Sequence, residues 1–304
     1  MSHFKVQILG CGSATPTLQH APTAQVVDLR DKLYLIDCGE GTQLQMRRYK
    51  VRFNRLNHIF ISHMHGDHCF GLPGLISTFG MLGRTNELVI HGPAGIDTFL
   101  SPVLSQFCKD MAYNVRLNVI DPQKSELIME DRSLEVYTIP LKHRIPTCGF
   151  LFSEKPRESH IIREMVDFYN VPLKELAAIK QGKDFITEEG IVVPYTRLTR
   201  PADPPKRYAY CSDTAFSPSI IPYIEGVDCL YHEATFLNKD LPRAKDTFHS
   251  TAHQAAEIAM RAGVKRLVLG HYSARYETLS GFLEEAQTVF QNVVLSEEGL
   301  IILL

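Results

Sequence analysis

The chain has no excess of either charge. Its 32 Lys and Arg face 34 Asp and Glu over 304 residues, a formal net charge of −2. A globally basic nucleic-acid binder is excluded, so an RNA or DNA partner must be attracted by local patches. No apolar run is long enough to span a bilayer. The start, Met1-Ser2-His3-Phe4-Lys5, reads directly into a strand with no secretory leader. The seven cysteines (Cys11, Cys38, Cys69, Cys108, Cys148, Cys211, Cys229) are odd in number and form no Cys-x-x-Cys pair. That argues against a disulfide framework and for reduced, buried thiols in a cytoplasmic protein. No solenoid-type repeat is present. The glycine-rich run 10–17 does not open a helix, which removes the phosphate-cradle reading.

What is present is a full core. Hydrophobic residues make up 44% of the chain, enough for one large domain. Apolar or alternating runs predict strands over 4–9, 24–29, 32–37, 56–62, 88–91, 113–120, 134–139, 148–153, 207–214, 228–235, 265–271, 293–295 and 300–303. The second and third form a hairpin about Arg30-Asp31. Helices are predicted over 42–49, 95–110, 252–262 and 281–291, with another after residue 69. Strands and helices alternate twice over, which fits an α/β fold of two packed sheets flanked by helices. Between 154 and 207 the texture changes to charged and proline-punctuated. Two short helical stretches (161–169 and 173–182) and a hairpin at Glu188-Glu189-Gly190 are expected there. This segment reads as a protruding inserted arm, or as a solvated insertion with no task.

One stretch concentrates the chemistry. Ser62-His63-Met64-His65-Gly66-Asp67-His68 puts three imidazoles and a carboxylate within six residues, just after an apolar strand. Side chains two apart on extended backbone point the same way. His63 and His65 can therefore reach one point while Asp67 and His68 turn toward a neighbouring one. That geometry suits two metal ions; the alternative is a polar loop with coincidental histidines. His143, Asp213 and His271 each stand just past a predicted strand, although His143 alone could be an ordinary loop residue. Asp37 is either a turn carboxylate or an acceptor that orients a metal-binding histidine. Thr251 and Gln254 fit a capping box for the helix that follows, with Ser250 a second capping candidate. Capping leaves His249 unexplained. Together His63, His65, Asp67, His68, His143, Asp213 and His271 offer the nitrogen and carboxylate ligands zinc takes, and manganese or iron would be tolerated. A water between two such ions is acidic near neutral pH, so the chemistry is hydrolytic.

The His-x-His-x-Asp-His run resembles the signature of the metallo-β-lactamase superfamily. Leu141-Lys142-His143, Tyr210-Cys211-Ser212-Asp213-Thr214, His232-Glu233-Ala234-Thr235, His249-Ser250-Thr251 and Gly270-His271-Tyr272-Ser273-Ala274-Arg275-Tyr276 match, in order, the short form of the ribonuclease Z family of tRNA 3′-processing endonucleases. The resemblance covers essentially the whole chain. It implies an αββα sandwich, a single domain over 1–304, with 154–207 as a flexible exosite arm that grips tRNA. It implies two zinc ions, with manganese possible: His63, His65 and His143 on one, Asp67, His68 and His271 on the other, Asp213 bridging. It further implies that Asp67 orients the attacking hydroxide and accepts its proton. Glu233 then orients His249, which protonates the leaving 3′-oxygen. The products are a tRNA with a 3′-hydroxyl and a 5′-phosphorylated trailer. The implied partners are precursor tRNA and a second copy of the chain in a cytoplasmic homodimer, with no membrane. Lys155, Arg157, Lys174, Lys180, Lys183, Arg197, Arg200, Lys206 and Arg207 are candidate phosphate contacts.

One departure stands out. The run 16–25, Pro-Thr-Leu-Gln-His-Ala-Pro-Thr-Ala-Gln, lacks the family's Arg-Asn pair, which helps sense the tRNA 3′ end. The cleavage position is therefore not implied. Rivals on the same scaffold are a small-molecule phosphodiesterase, an arylsulfatase or a thioester hydrolase, none of which needs an arm. A non-catalytic RNA-binding protein is a different class, and the intact ligand set argues against it.

Overall fold

This computed structural model describes residues 4–304; Met1, Ser2 and His3, read above as leading into the first strand, lie outside the described residues. The chain divides into two compact units. The first comprises 4–130, Glu135–Phe152 and Lys206–Leu304, and the second Asp131–Leu134 and Ser153–Pro205.

The first unit holds two seven-stranded sheets. In one, the order is Ile301–Leu303, Phe4–Gly10, Ala24–Leu29, Lys32–Ile36, Leu56–Phe60, Leu88–Pro93, Val115–Ile120. Its first half is antiparallel and its second half parallel. The other runs Val293–Leu295, Leu267–Gly270, Cys229–Glu233, Arg207–Cys211, Cys148–Glu154, Leu134–Pro140, Leu127–Glu130. Its first four strands are parallel. Parallel strands are nearly continuous apolar runs because both faces are covered. Phe60 meets Phe150 and Phe152 at 5.5 and 5.4 Å between ring centroids, joining the sheets face to face. On the outer side of the first sheet, helices Thr42–Arg48, Leu72–Met81 and Ile96–Phe107 bury Met46, Leu75, Phe79 and Leu100. Helices Ala252–Arg261 and Ser280–Gln287 cover the second sheet. This is the αββα sandwich of the sequence reading.

The differences are local. Arg30 and Asp31, at φ 53° and 67°, make the expected tight hairpin turn. The helix read over 95–110 spans Ile96–Phe107, and the one read over 281–291 spans Ser280–Gln287. Strand Leu127–Glu130 and helix Leu241–Thr247 had no clear periodic signal and were not expected. Thr251 and Gln254 form the capping box, whereas Ser250 donates to the Thr214 carbonyl at 2.7 Å instead of capping. All seven cysteines are free and buried. The second unit has its own small core, Val166, Ile179, Phe185, Val193 and Leu198, beneath the hairpin of Phe185–Ile186 and Val192–Val193. Composition misplaced its edges. Lys206 and Arg207 belong to the first unit, because Arg207 opens a sheet strand and the Lys206 ammonium is 3.2 Å from the Asp228 carboxylate.

One buried group between the sheets makes stability depend on pH. His91 stacks on Phe60 at 4.6 Å, and its Nδ1 and Nε2 face Asn118 and His58 at 2.9 and 3.1 Å. Burial, with smaller contributions from His58 and Arg116, pushes His91 down to about 3. The ordinary histidine value is ~6.5. A base depressed by folding stabilises the native state fully above its unfolded value, and less as pH falls toward the folded one. His91→Gln is expected to flatten the stability profile between about pH 6.5 and 4, removing a slope of up to ~1.4 kcal/mol per pH unit. Parallel slopes for parent and variant in urea melts would refute this.

Candidate metal centre

The C-terminal ends of several strands, most of them parallel, deliver the polar groups to one edge. His63 and His65 follow strand Leu56–Phe60, and Asp67 and His68 sit in the single helical turn Gly66–Cys69. His143 follows Leu134–Pro140, Asp213 follows Arg207–Cys211, Glu233 ends Cys229–Glu233, and His271 follows Leu267–Gly270. All seven predicted ligands come together, in two groups. Ligating atoms of His63, His65, His143 and Asp213 lie within 4.8 Å of one another, as do those of Asp67, His68 and His271. Asp213 stands between the groups. Its Oδ2 is 3.6 Å from His63 Nε2 and 3.7 Å from His143 Nε2, while its Oδ1 is 3.4 Å from His68 Nε2 and 3.2 Å from His271 Nε2.

The rings are held from behind. Asp37 Oδ2 accepts from His68 Nδ1 at 2.8 Å, and also from Tyr210 Oη and Ser62 Oγ at 2.7 and 3.0 Å; its Oδ1 accepts from the Ser62 N–H at 2.8 Å. This settles the Asp37 alternative in favour of the orienting role. His143 Nδ1 donates to the Phe248 carbonyl at 2.9 Å, and His271 Nδ1 faces Thr235 Oγ1 at 2.9 Å. In each case Nε2 is turned inward with its tautomer set from the far side of the ring. Asp37, Phe248 and His271 all have positive φ, 54°, 58° and 62°. Such backbone costs energy for a side chain with a Cβ, and its clustering here marks the site as the place where strain is tolerated. Sequence reading missed Ser62, Tyr210, Thr235 and the Phe248 carbonyl. Ser62, Tyr210 and Thr235 stand inside the motifs already quoted, whereas the Phe248 carbonyl carried no signal.

Three observations show that these residues suit divalent cations. Among the described residues, His68 Nε2 and His271 Nε2 are buried without a hydrogen-bond partner, an arrangement that folded proteins rarely leave unmet. Four carboxylates, Asp37, Asp67, Asp213 and Glu233, turn inward, and their ion-pair partners are all histidines. Burial works against charge on Asp67 and Asp213, yet the neighbouring histidines hold both far below the usual carboxylate range. The donor set is nitrogen and carboxylate oxygen only, the preference of zinc and of similar ions.

His249 occupies a different position. It lines the same pocket, about 570 Å³ in volume, with Asp67, His65, His143 and His271. Its Nδ1 is 2.8 Å from Glu233 Oε1. Glu233 also accepts from the Thr214 and Thr235 N–H groups and from Thr235 Oγ1. Burial alone would lower His249, but the Glu233 charge and hydrogen bond, aided by Asp213, push it up to about 9. His249 also falls in a third group of candidate ligands, with Asp213 and His271; what sets it apart is that its Nδ1 is already engaged by Glu233. The loop 14–25, which contains the run without Arg-Asn, forms the pocket wall at Ala14, Pro16 and Pro22. Its Ala14 N–H donates to Asp67 Oδ2 at 2.7 Å. Glu298 holds it from below, 3.1 Å from His20 Nδ1 and accepting from Ala21 N at 2.8 Å.

Two sheets that deliver paired histidine–aspartate groups at their strand ends define a metal-dependent hydrolase of the metallo-β-lactamase fold. Comparison with known families agrees: residues 196–272 match the β-lactamase superfamily domain, and residues 4–155 match the anti-Pycsar protein Apyc1. The ribonuclease Z of Parabacteroides distasonis is 67% identical over 300 residues, 99% of each chain, and that of Bacteroides fragilis 60% identical over 302 residues, again 99% of each. The crystal structure of human tRNase Z, short form, superposes with a TM-score of 0.71 at 26% identity over 98% of each chain. The half-chain match and the end-to-end identities point to different relatives, and end-to-end identity decides. The chain belongs to the ribonuclease Z family and is a metal-dependent endoribonuclease.

Proposed function

We propose that this chain cuts precursor tRNA on its 3′ side, leaving a 3′-hydroxyl on the tRNA and a 5′-phosphate on the trailer. The two ligand groups would hold one zinc ion each, manganese being the alternative, and Asp213 faces both groups. Divalent cations bound there acidify water and neutralise charge at the attacked phosphorus. The chain's residues do the rest. Asp67, fixed by the Ala14 N–H, orients the attacking water and takes its proton. As the P–O3′ bond breaks, His249 gives its proton to the leaving oxygen, and Glu233 steadies the imidazolium until then. The observation that carries this reading is the His249–Glu233 pair, 2.8 Å apart, with His249 on the wall of the pocket that both ligand groups line.

The second unit serves as the arm that grips the tRNA body. The protein works as a homodimer in the cytoplasm. Seven buried free thiols suit that reducing compartment, and among the described residues no helix is long and apolar enough to cross a membrane. The deciding experiment is cleavage of precursor tRNA with end-mapping of both fragments. A 3′-hydroxyl tRNA and a 5′-phosphate trailer are expected with zinc or manganese. Hydrolysis of bis-p-nitrophenyl phosphate with every precursor left intact would mean a small-molecule phosphodiesterase. Deleting 156–205 is expected to harm tRNA cleavage far more than small-ester turnover; equal losses would remove the arm's role. Sedimentation as a monomer at working concentration would do the same for the homodimer.

A further inference from the structure

We propose that residues 47–55 form a second RNA-binding surface, on the outer side of the first sheet and leading away from the catalytic pocket, that holds substrate phosphates remote from the cleaved bond. The inference rests on the reading of the substrate as precursor tRNA. In ten residues, 46–55, the chain carries Arg47, Arg48, Lys50, Arg52 and Arg55 and no acid; no separate stretch of that length matches it. All five cations are exposed. The residues between them face the other way: Met46 is in the core, and Tyr49, Val51 and Phe53 pack against it. The strip is therefore a row of charges on a fixed apolar footing. Arg52 pairs with Asp31, and Arg47 lies 5.9 Å from the centre of the Phe53 ring. Among the described residues, Arg48, Lys50 and Arg55 have no ion-pair partner, so their charge is open to an outside anion.

The backbone at the centre of the strip points the same way. Helix Thr42–Arg48 ends with the Lys50 N–H on the Arg47 carbonyl at 3.2 Å and the Val51 N–H on the Met46 carbonyl at 2.8 Å. That is a Schellman end, and its left-handed position normally takes glycine. Here it is Lys50, at φ 56°. Fold stability alone gives no reason for a lysine at that point, whereas a phosphate contact does.

Placement and charge balance complete the argument. Glu40 lines the catalytic pocket, and the helix that leads to the cations begins two residues later. The helix of seven residues leads ~10 Å away from the pocket, and Arg52 lies against Asp31, at the start of the strand whose far end carries Asp37, so the strip extends from about 10 to about 20 Å from the site, a reach of a few nucleotides along the outer side of the sheet. The second unit cannot meet the substrate's charge by itself. Ser153–Pro205 holds eight Lys and Arg against nine Asp and Glu, and Arg157 is already 3.3 Å from Asp203.

The test measures kcat/KM for a precursor tRNA across salt concentration, with bis-p-nitrophenyl phosphate turnover and thermal melting beside it. Lys50→Gly is expected to melt no lower than the parent, because glycine relieves the left-handed turn, yet to cut tRNA several-fold less efficiently. Combined Arg47→Ala, Arg48→Ala and Lys50→Ala is expected to lose at least ~10-fold on tRNA near 0.1 M salt, with a salt slope shallower by about two to three. Small-ester turnover is the control and should hold. Unchanged tRNA cleavage and slope in both variants overturn the strip, as does an equal loss on the small ester. A parent that cuts no precursor tRNA at all instead defeats the substrate reading beneath it.

Discussion

Asp213→Ala is expected to bind fewer than two divalent ions per chain and to lose at least ~10³-fold in RNA cleavage. Asp213 faces both ligand groups, one carboxylate oxygen to each. Its charge is also what offsets the crowding of His63, His68 and His271 around it. Without it, both groups keep their histidines but lose the shared anion. Cation stabilisation of transition-state charge is worth several kcal/mol, and each ~1.4 kcal/mol is tenfold in rate. Elemental analysis beside single-turnover cleavage checks the expectation. Two ions retained at parental affinity would show that Asp213 is not shared.

His249→Ala is expected to keep its metal content and slow cleavage by ~10²–10⁴-fold, the usual loss for a missing general acid. A drop in bound metal would instead make His249 a ligand. The pH profile separates the two further. His249 is pushed up to about 9 by Glu233 against the lowering effect of burial. The proton to be donated is thus present below about pH 9 and lost above it. Cleavage should fall on the alkaline side as that proton leaves. Glu233→Gln removes the charge that raises His249, so the alkaline fall should move to lower pH while the amide still accepts from the Thr214 and Thr235 N–H groups. An alkaline limb at the same pH in this variant would refute the pairing as the source of the proton.

Much of the site was legible because metal chemistry demands particular residue types at strand ends. His63, His65, Asp67 and His68 are close in sequence, and strand periodicity aims them. His143, Asp213 and His271 announced themselves by following apolar runs. The capping box of Thr251 and Gln254 was equally local. What failed was longer in range or weaker in pattern. Asp131–Leu134 joins the second unit although it is about twenty residues upstream of Ser153. Lys206 and Arg207 looked like the arm's basic edge, yet Arg207 opens a core strand and Lys206 pairs with Asp228.

The amino-acid order alone determined the alternation of strand and helix, the candidate ligands and their position at strand ends, because these depend on periodicities of two and 3.6 residues and on local turns. Tertiary structure decided the partners. Asp37 meets His68 across 31 residues and Tyr210 across 173; His143 meets the Phe248 carbonyl across 105. No local pattern encodes such distances. They follow from two sheets packing face to face, which brings distant strand ends to one edge and leaves each buried donor and acceptor to find what stands opposite.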